Sequence, residues 1–167
     1  MKITALLSPK NIRLGVSFSS KKRLFESIAH FVVEQLGCDK GENACFECLF
    51  NREKLGNSGL GNGVAMPKAK IPENISQQAL VVFMQLQNPI DYDAPDGKPV
   101  DLILAVLVPE NQCSIYIPLL SALTEKFTDK NFLKQLRSAK SADEILQVFE
   151  IAEHLEKGSF LEDVKNN

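Results

Sequence analysis

The chain has 167 residues and a formal net charge of −2, with 44% hydrophobic and 24% charged residues. This length and composition are typical of one globular domain with a substantial core. The charge gives no reason to expect nucleic acid or an anionic membrane surface as a partner. There is no signal-peptide pattern and no apolar run of about eighteen residues. The sequence therefore predicts a soluble, cytoplasmic protein.

The cysteine pattern argues against a metal or redox site. Cys45 and Cys48 lie within a helical pattern, and Cys38 and Cys113 stand apart from them. No second closely spaced pair and no nearby histidine completes a set of metal ligands. We therefore predict free thiols in a reducing compartment, with neither a metal nor a cofactor.

The N-terminal part predicts two helices. After Ser20, apolar residues recur at helical spacing as far as Leu36, and Gly37 is a suitable C-terminal stop. A second helix is predicted over residues 42–55, with Asp39 as its N-cap and Gly56 at its end.

Two apolar runs predict buried strands, over residues 79–86 and 100–108. The connector between them has its strongest turn signal at Asp96-Gly97. Both runs are apolar at successive positions rather than at alternate ones. This pattern indicates a sheet that is covered by helices on both faces.

The C-terminal third predicts three more helices, over residues 115–127, over residues 131–137 and after a capping box formed by Ser141 and Glu144. Pro118 must then lie in the first turn of its helix. Helices, then strands, then helices predict a single α/β domain over residues 1–155. The polar residues 156–167 are expected to form a partly disordered tail.

Between the second helix and the first apolar run lies a glycine-rich segment, with Gly59, Gly61, Asn62 and Gly63. Glycine backbone can turn its N–H groups towards an anion. A tight turn is the other interpretation, with Asn62-Gly63 as a two-residue hairpin loop. The spacing matches neither the dinucleotide-binding fingerprint nor the P-loop, so a nucleotide site is not predicted.

Several motifs in order carry a resemblance to a known family. They are the charged helix end Arg52-Glu53-Lys54, the glycines, Ala65 and Pro67, Asn88-Pro89-Ile90, residues 99–102 and residues 107–109. Together, residues from about 10 to about 150 resemble the IIA proteins of the bacterial phosphotransferase system, mannitol/fructose type. The nitrogen-regulatory branch is the most similar. The resemblance implies a single-domain fold of this IIA type, with a mixed β-sheet and helices on both faces.

The resemblance also exposes two departures from the family pattern. In the family, a histidine directly after the proline carries the phosphoryl group, and here that residue is Lys68. The position of a second active-site histidine corresponds to Tyr116. A lysine with an ordinary pKa of about 10.4 is protonated and has no lone pair with which to attack phosphorus. His30 and His154 are the only histidines, and we interpret both as structural or surface residues.

Lys68 and Arg52 together predict an anion-binding or partner-binding site, completed by Ser58, Gly59, Gly61, Asn62 and Gly63. Its ligand would be phosphate, sulfate or a carboxylate of a partner protein. Burial or a neighbouring cation, such as Arg52, could lower the pKa of Lys68. The alternative is a decayed site whose lysine extends into solvent.

The resemblance implies a regulator that binds proteins, and without the histidine it would behave as permanently unphosphorylated. Its expected partners are a histidine phosphocarrier of the phosphotransferase system and regulatory targets in potassium, nitrogen or stress signalling. Two enzymatic alternatives stay open. One is a working phosphotransferase component with a displaced acceptor at Tyr116, Ser58 or one of the histidines. The other is an unrelated enzyme that forms a Schiff base at Lys68.

Overall fold

In a computed structural model, the backbone is described for residues 1–37 and 40–165, and side chains as far as Leu155 except at positions 38 and 39. The α-helices are α1 (Lys21–Glu34), α2 (Glu42–Leu55), α3 (Cys113–Lys126), α4 (Lys130–Ser138) and α5 (Ala142–Lys165). The strands are β1 (Ile12–Val16), β2 (Gly59–Gly61), β3 (Val64–Ala65), β4 (Lys68–Ile71), β5 (Leu80–Ile90) and β6 (Val100–Pro109). Short 3-10 turns occupy Ile3–Ala5, Pro9–Asn11 and Glu110–Gln112.

The strands form one mixed sheet in the order β1-β5-β6-β3-β2, and β4 also pairs with β6. The central pair, β5 and β6, is antiparallel. β1 runs parallel to β5, whereas β3 and β4 run parallel to β6. The mixed sheet that the resemblance implied is therefore confirmed.

β3 and β4 follow one line along the same side of β6. Val64 pairs with Leu102 and Lys68 pairs with Val106, so the register is unchanged from one strand to the next. Pro67 lies between them and has no N–H to donate, but its carbonyl accepts a hydrogen bond of 2.9 Å from the Val106 N–H. The register of β6 therefore fixes the place of Lys68.

Two apolar cores lie on opposite faces of the sheet. Strands that are apolar at successive positions predict this arrangement. Alternate residues of β6 enter different cores, with Val106 in one and Leu107 in the other. The first core includes residues of α3, α4 and α5, and Phe83 meets Phe149 edge to face at 5.6 Å. The second core includes residues of α1 and α2. Helices thus cover both faces.

A side chain of β5 holds the C-terminal end of α4. The Gln85 amide nitrogen donates to the carbonyls of Leu136 at 2.9 Å, Ala139 at 3.0 Å and Arg137 at 3.3 Å. The last carbonyls of a helix have no partner within the helix, so this amide supplies one. The orientation of the end of α4, which carries Arg137, therefore depends on the sheet.

Some sequence-based boundaries need correction. β1 and β4 are strands that the apolar pattern did not predict, because both are short and only partly buried. α3 begins at Cys113, directly after the Glu110–Gln112 turn, so Pro118 lies inside the helix and not in its first turn. The helix tolerates Pro118 at the loss of one backbone hydrogen bond.

The ends of two other helices also differ from expectation. Gly41, with φ of +95°, occupies the N-cap of α2, whereas Asp39 lies outside the described residues. Ser141 Oγ accepts from the Glu144 N–H at 3.1 Å, but the Glu144 carboxylate accepts from the Lys140 N–H rather than that of Ser141. Only half of the predicted capping box therefore forms.

The backbone of α5 continues to Lys165, so the polar tail is helical as far as that residue. Extending an existing helix requires far less free energy than starting one, and the tail contains several good helix formers. The domain boundary at residue 155 remains a prediction. Within the described part of the chain, no helix is long and apolar enough to cross a membrane.

Gln85→Ala should lower the free energy of unfolding by about 1–3 kcal/mol, because it leaves carbonyls at the end of α4 without their donor. Gln87→Ala, an exposed position on the same strand, is the matched control and should change stability by less than about 0.5 kcal/mol. Urea denaturation followed by circular dichroism measures both. Equal effects of the two changes would show that the Gln85 amide does not stabilise α4.

Candidate functional site

The glycine-rich segment is a β-hairpin in which β2 and β3 pair across Asn62-Gly63. Asn62 has φ of +57° and Gly63 has φ of +81°. Positive φ at both central positions is typical of the type I′ turn, whose twist matches that of the flanking strands. The hairpin interpretation of this segment is confirmed.

Several N–H groups of the hairpin already have partners within the chain. The Ser58 N–H donates to Glu53 Oε1 at 2.9 Å, and the Gly59 N–H donates to Asn57 Oδ1 at 2.7 Å. At the tip, the Asn62 N–H donates to Asp96 Oδ2 at 3.0 Å. Hydrogen bonds from the backbone of Lys98 and Asn62 lower the pKa of Asp96. The N–H groups of Ser58, Gly59 and Asn62 are therefore not free to bind an anion.

A polar cluster anchors the base of the hairpin to α1 and α2. Glu53, whose side chain is 9% exposed, forms an ion pair of 2.7 Å with Lys21. The Lys21 ammonium lies 4.0 Å from the centre of the Tyr92 ring, and Tyr92 Oη lies 2.6 Å from Ser58 Oγ. Burial and the nearby Glu53 carboxylate raise the pKa of Tyr92 well above its usual range. Tyr92 therefore remains a neutral phenol at physiological pH.

A second set of contacts holds the tip of the hairpin. Arg137, at the end of α4, donates to both carboxylate oxygens of Asp101, with Nε to Oδ2 at 2.9 Å, and also to the Asn62 carbonyl. Bidentate contacts of this kind fix geometry as well as adding energy. A cavity of about 500 Å³ adjoins these contacts of Arg137. It is lined by Asn62, Gly63, Pro89, Lys98, Pro99, Asp101, Lys130, Leu133 and Arg137.

Lys68 is half-buried at the start of β4, between the buried residues Pro67 and Ala69. Burial lowers the pKa of its ammonium group, and the nearby Arg52 guanidinium lowers it further. The direction of this change is the one that the charge of Arg52 favours. Among the described residues, Lys68 has no hydrogen bond from its side chain and no ion-pair partner.

Arg52 lies on the last turn of α2 and is exposed. Its Nη1 donates to the Gly56 carbonyl at 3.3 Å, and no carboxylate of the described chain is paired with it. Glu53, the adjacent acid, is already engaged by Lys21 and Ser58. Arg52 and Lys68 thus lie in one region of the surface with no counter-charge from the part of the chain that the structure describes.

The other sequence-predicted residues lie on α1, α3 and α5. Tyr116 is 6% exposed and belongs to the core that contains Met66 and Val106, on the sheet face towards α3. Its place as the second active-site position remains a prediction. His30 lies between Glu34 and Glu42, with Nδ1 at 2.7 Å from the latter, and His154 is exposed on α5. Both placements agree with surface roles.

The cysteines that the structure describes are free thiols. Burial, aided by Cys48 and Glu42, raises the pKa of Cys45 to about 11, so its thiol stays protonated and unreactive. Within the described part of the chain, no cluster of histidine, cysteine and acidic side chains is suited to hold a metal ion. Cys38 lies outside the described residues.

The sequence pattern of one family, described as "Phosphoenolpyruvate-dependent sugar phosphotransferase system, EIIA 2", matches residues 5–151. The chain belongs to this family. It is 77% identical to a nitrogen regulatory protein homolog of Haemophilus influenzae over 156 residues, which cover 93% of this chain and 95% of the relative.

Solved structures of related proteins have the same fold. Nitrogen regulatory protein IIA-Ntr from Neisseria meningitidis matches with 39% identity and a TM-score of 0.81, over 88% of this chain and 98% of that one. Enzyme IIAMTL of Escherichia coli, solved in complex with phosphorylated enzyme IIBMTL, matches with 22% identity and a TM-score of 0.71, over 86% and 96% of the two chains. The predicted IIA fold class is therefore confirmed.

Sequence reasoning did not find the residues that hold the hairpin in place. Lys21, Tyr92 and Arg137 lie far from the glycines along the chain and reach them only through the fold. None of the three stands in a motif of its own. Only the positive-φ pair Asn62-Gly63 gave a local signal for the hairpin.

Gly63→Ala should lower the free energy of unfolding by about 1–3 kcal/mol, since it adds backbone strain at positive φ. An added Cβ would also lie 2.5 Å from Arg137 Nη2 and 2.9 Å from Asp101 Oδ1. Gly61→Ala is the control, because it shares the positive φ but meets only Asp96 Oδ2 at 3.5 Å. Chemical denaturation should rank Gly63→Ala as the more destabilising change. The reverse order would show that the contacts of Arg137 with Asp101 and Asn62 do not need a glycine at position 63.

Proposed function

We propose that this nitrogen regulatory IIA-like protein of the phosphotransferase system does not carry phosphate and acts by binding other proteins. The observation that supports the proposal is Lys68, which directly follows Pro67 at the position where the family resemblance expects the acceptor histidine. Neither the identity of that position nor the regulatory role follows from family membership alone. Both belong to the proposal.

The chemistry of the side chain supports the loss of phosphate transfer. An acceptor must present a lone pair in line with the phosphorus atom, as neutral imidazole does near pH 7. The pKa of Lys68 is lowered, but no general base is hydrogen-bonded to its amine among the described residues. A protonated ammonium has no lone pair to offer. The same group is, however, well suited to bind an anion.

The geometry limits how such an anion would be held. Because the N–H groups of Ser58, Gly59 and Asn62 are occupied, most of the binding charge would come from the side chains of Lys68 and Arg52. Cations that lack an internal counter-charge gain most from an anionic partner. We infer that the site receives an anionic group of a partner protein, either a phosphoryl group or a carboxylate.

The partner that we propose is a histidine phosphocarrier of the phosphotransferase system. The IIAMTL relative has been solved with a phosphorylated partner enzyme, which supports such an encounter for a chain of this fold. In this chain, Lys68 and Arg52 would bind the phosphoryl group of the carrier, and the group would not be transferred. The encounter would take place in the cytoplasm. The protein would therefore report on the phosphorylated carrier while remaining unphosphorylated, with nitrogen-related regulatory proteins as its targets.

The natural chain should bind the phosphorylated phosphocarrier about tenfold more tightly than the unphosphorylated one, which corresponds to roughly 1.4 kcal/mol. Lys68→Ala should abolish this preference, because it removes one of the cations that meet the phosphoryl group. Isothermal titration calorimetry or fluorescence anisotropy at fixed ionic strength measures the dissociation constants, which are salt-dependent for exposed charges.

Lys70→Ala is the matched control, since Lys70 is an exposed lysine on the same strand. That variant should keep the preference for the phosphorylated carrier. An equal loss of this preference in both variants would mean that it depends on the overall charge of the protein and not on the position of Lys68. If the natural chain bound the two forms of the carrier equally, the proposed anion site would be refuted.

A further inference from the structure

We propose that the cavity beside the hairpin tip binds a phosphate monoester of a small organic compound, with Lys98, Lys130 and Arg137 as the cations that hold the phosphate. The cavity has a volume of about 500 Å³, and all three cations belong to its lining. This inference goes beyond the proposed function, because neither Lys68 nor Arg52 lines the cavity.

The sheet register separates this cavity from the region of Lys68. Next to the hairpin tip, β3 pairs with β6 at Leu102, whereas Lys68 pairs with Val106. From Leu102 to Val106 the backbone of β6 extends over roughly 13 Å. An anion in the cavity and an anion at Lys68 would therefore occupy separate places along the same side of β6.

The lining of the cavity has more positive than negative charge. Asp101 is its acidic residue, and Arg137 donates to both of the Asp101 carboxylate oxygens. Among the described residues, the ammonium groups of Lys98 and Lys130 have neither a hydrogen bond nor an ion pair. Three cations and one carboxylate thus line the cavity, and two of the cations lack an internal counter-charge.

Two further carboxylates near the cavity are held by the backbone. Asp96 accepts from the Asn62 N–H at 3.0 Å and from the Lys98 N–H at 3.1 Å. These bonds, together with the charge of Lys98, lower the pKa of Asp96, which is therefore ionised at neutral pH. Asp129, the neighbour of Lys130 in the sequence, caps the N-terminus of α4. Both acids weaken the positive potential, but within the described chain neither forms an ion pair with a lysine of the cavity.

Arg137 is already oriented and still has N–H groups to donate. Its Nε and Nη2 contact Asp101, and Nη2 also donates to the Asn62 carbonyl. Its Nη1 has no hydrogen-bond partner among the described residues. Because internal contacts fix this guanidinium, a ligand that binds Nη1 loses little free energy to the ordering of the side chain.

Charge and shape favour a phosphate monoester over a carboxylate or a free phosphate. A phosphate monoester has a charge of about −1.5 to −2 near pH 7 and three acceptor oxygens, enough for one contact with each cation. A monocarboxylate has half this charge and two oxygens. Pro89, Pro99 and the buried Leu133 add apolar surface to the lining, which an organic group would contact and a free phosphate would not. The volume of the cavity is typical of sites for small molecules.

The test titrates the full chain with phenyl phosphate and follows the backbone amides by ¹H–¹⁵N NMR. The signals of residues 62–63, 98–101 and 130–137 should shift and saturate, with a dissociation constant below about 1 mM. Phenyl sulfate has the same ring but a single charge, and it should bind several-fold more weakly. Inorganic phosphate lacks the ring and should also bind several-fold more weakly than phenyl phosphate.

Lys98→Gln and Lys130→Gln should each weaken the binding of phenyl phosphate about tenfold, because each removes one charge-assisted contact. Both lysines are exposed, so the amide spectra of these variants should show a native fold. Lys134→Gln is the matched control, since Lys134 is an exposed lysine of α4 that does not line the cavity. This variant should change the dissociation constant less than about twofold.

Equal weakening in Lys134→Gln would overturn the inference, because binding would then depend on overall charge. The absence of saturable shifts at the cavity residues would also overturn it, and so would shifts confined to residues 52 and 68–70. Equal binding of phenyl sulfate would refute a divalent ligand, and equal binding of inorganic phosphate would refute a ligand with an organic group. The proposed function is tested separately, because Lys68→Ala should leave the binding of phenyl phosphate in the cavity unchanged.

Discussion

The pairing of β6 on both of its sides is the constraint on which the rest of this molecule depends. β5 lies antiparallel on one side, and β3 and β4 continue each other on the other side. The side chains of β6 alternate between the two cores, so a shift of register by one residue would exchange the two apolar sets. The same register fixes Lys68 opposite Val106. The candidate site is thus positioned by the most buried strand of the fold.

The hairpin beside Lys68 is held at both ends by charged residues from distant parts of the chain. Glu53 and Lys21 secure its base through Ser58, and Arg137 secures its tip by donating to the Asn62 carbonyl. These contacts use charges that would otherwise be available to a ligand. Arg52 and Lys68 are left without counter-charge within the described chain. The anion-binding proposal follows from this unequal distribution of partners.

The sequence was sufficient for the elements with strong local patterns. The apolar runs of β5 and β6 predicted buried strands, helical spacing of apolar residues predicted α1, and helices were also predicted at the places of α2 and α4. β1 was not predicted because its residues are mostly half-buried and it is completed by pairing with β5. The start of α3 was also missed, since the Glu110–Gln112 turn leads into the helix ahead of Pro118.

The site was predictable only where neighbouring residues determine it. The Asn62-Gly63 turn was foreseen from positive-φ preferences, and the effect of Arg52 on Lys68 from charge and burial. The Tyr92 and Arg137 contacts depend on residues about 30 or more positions away, and no local rule brings them together. The occupied N–H groups were likewise invisible in the sequence, and they moved the proposed anion site from the backbone to the side chains.

The most direct test of the central claim is intact-mass spectrometry after incubation with a phosphorylated histidine phosphocarrier. The natural chain and Lys68→His are treated side by side. The account predicts that the natural chain gains no phosphoryl group and that Lys68→His gains one, because an imidazole then follows Pro67. Phosphate on the natural chain would contradict the account and would indicate an acceptor elsewhere. A folded Lys68→His variant that accepts no phosphate would contradict the assignment of Lys68 to the acceptor position.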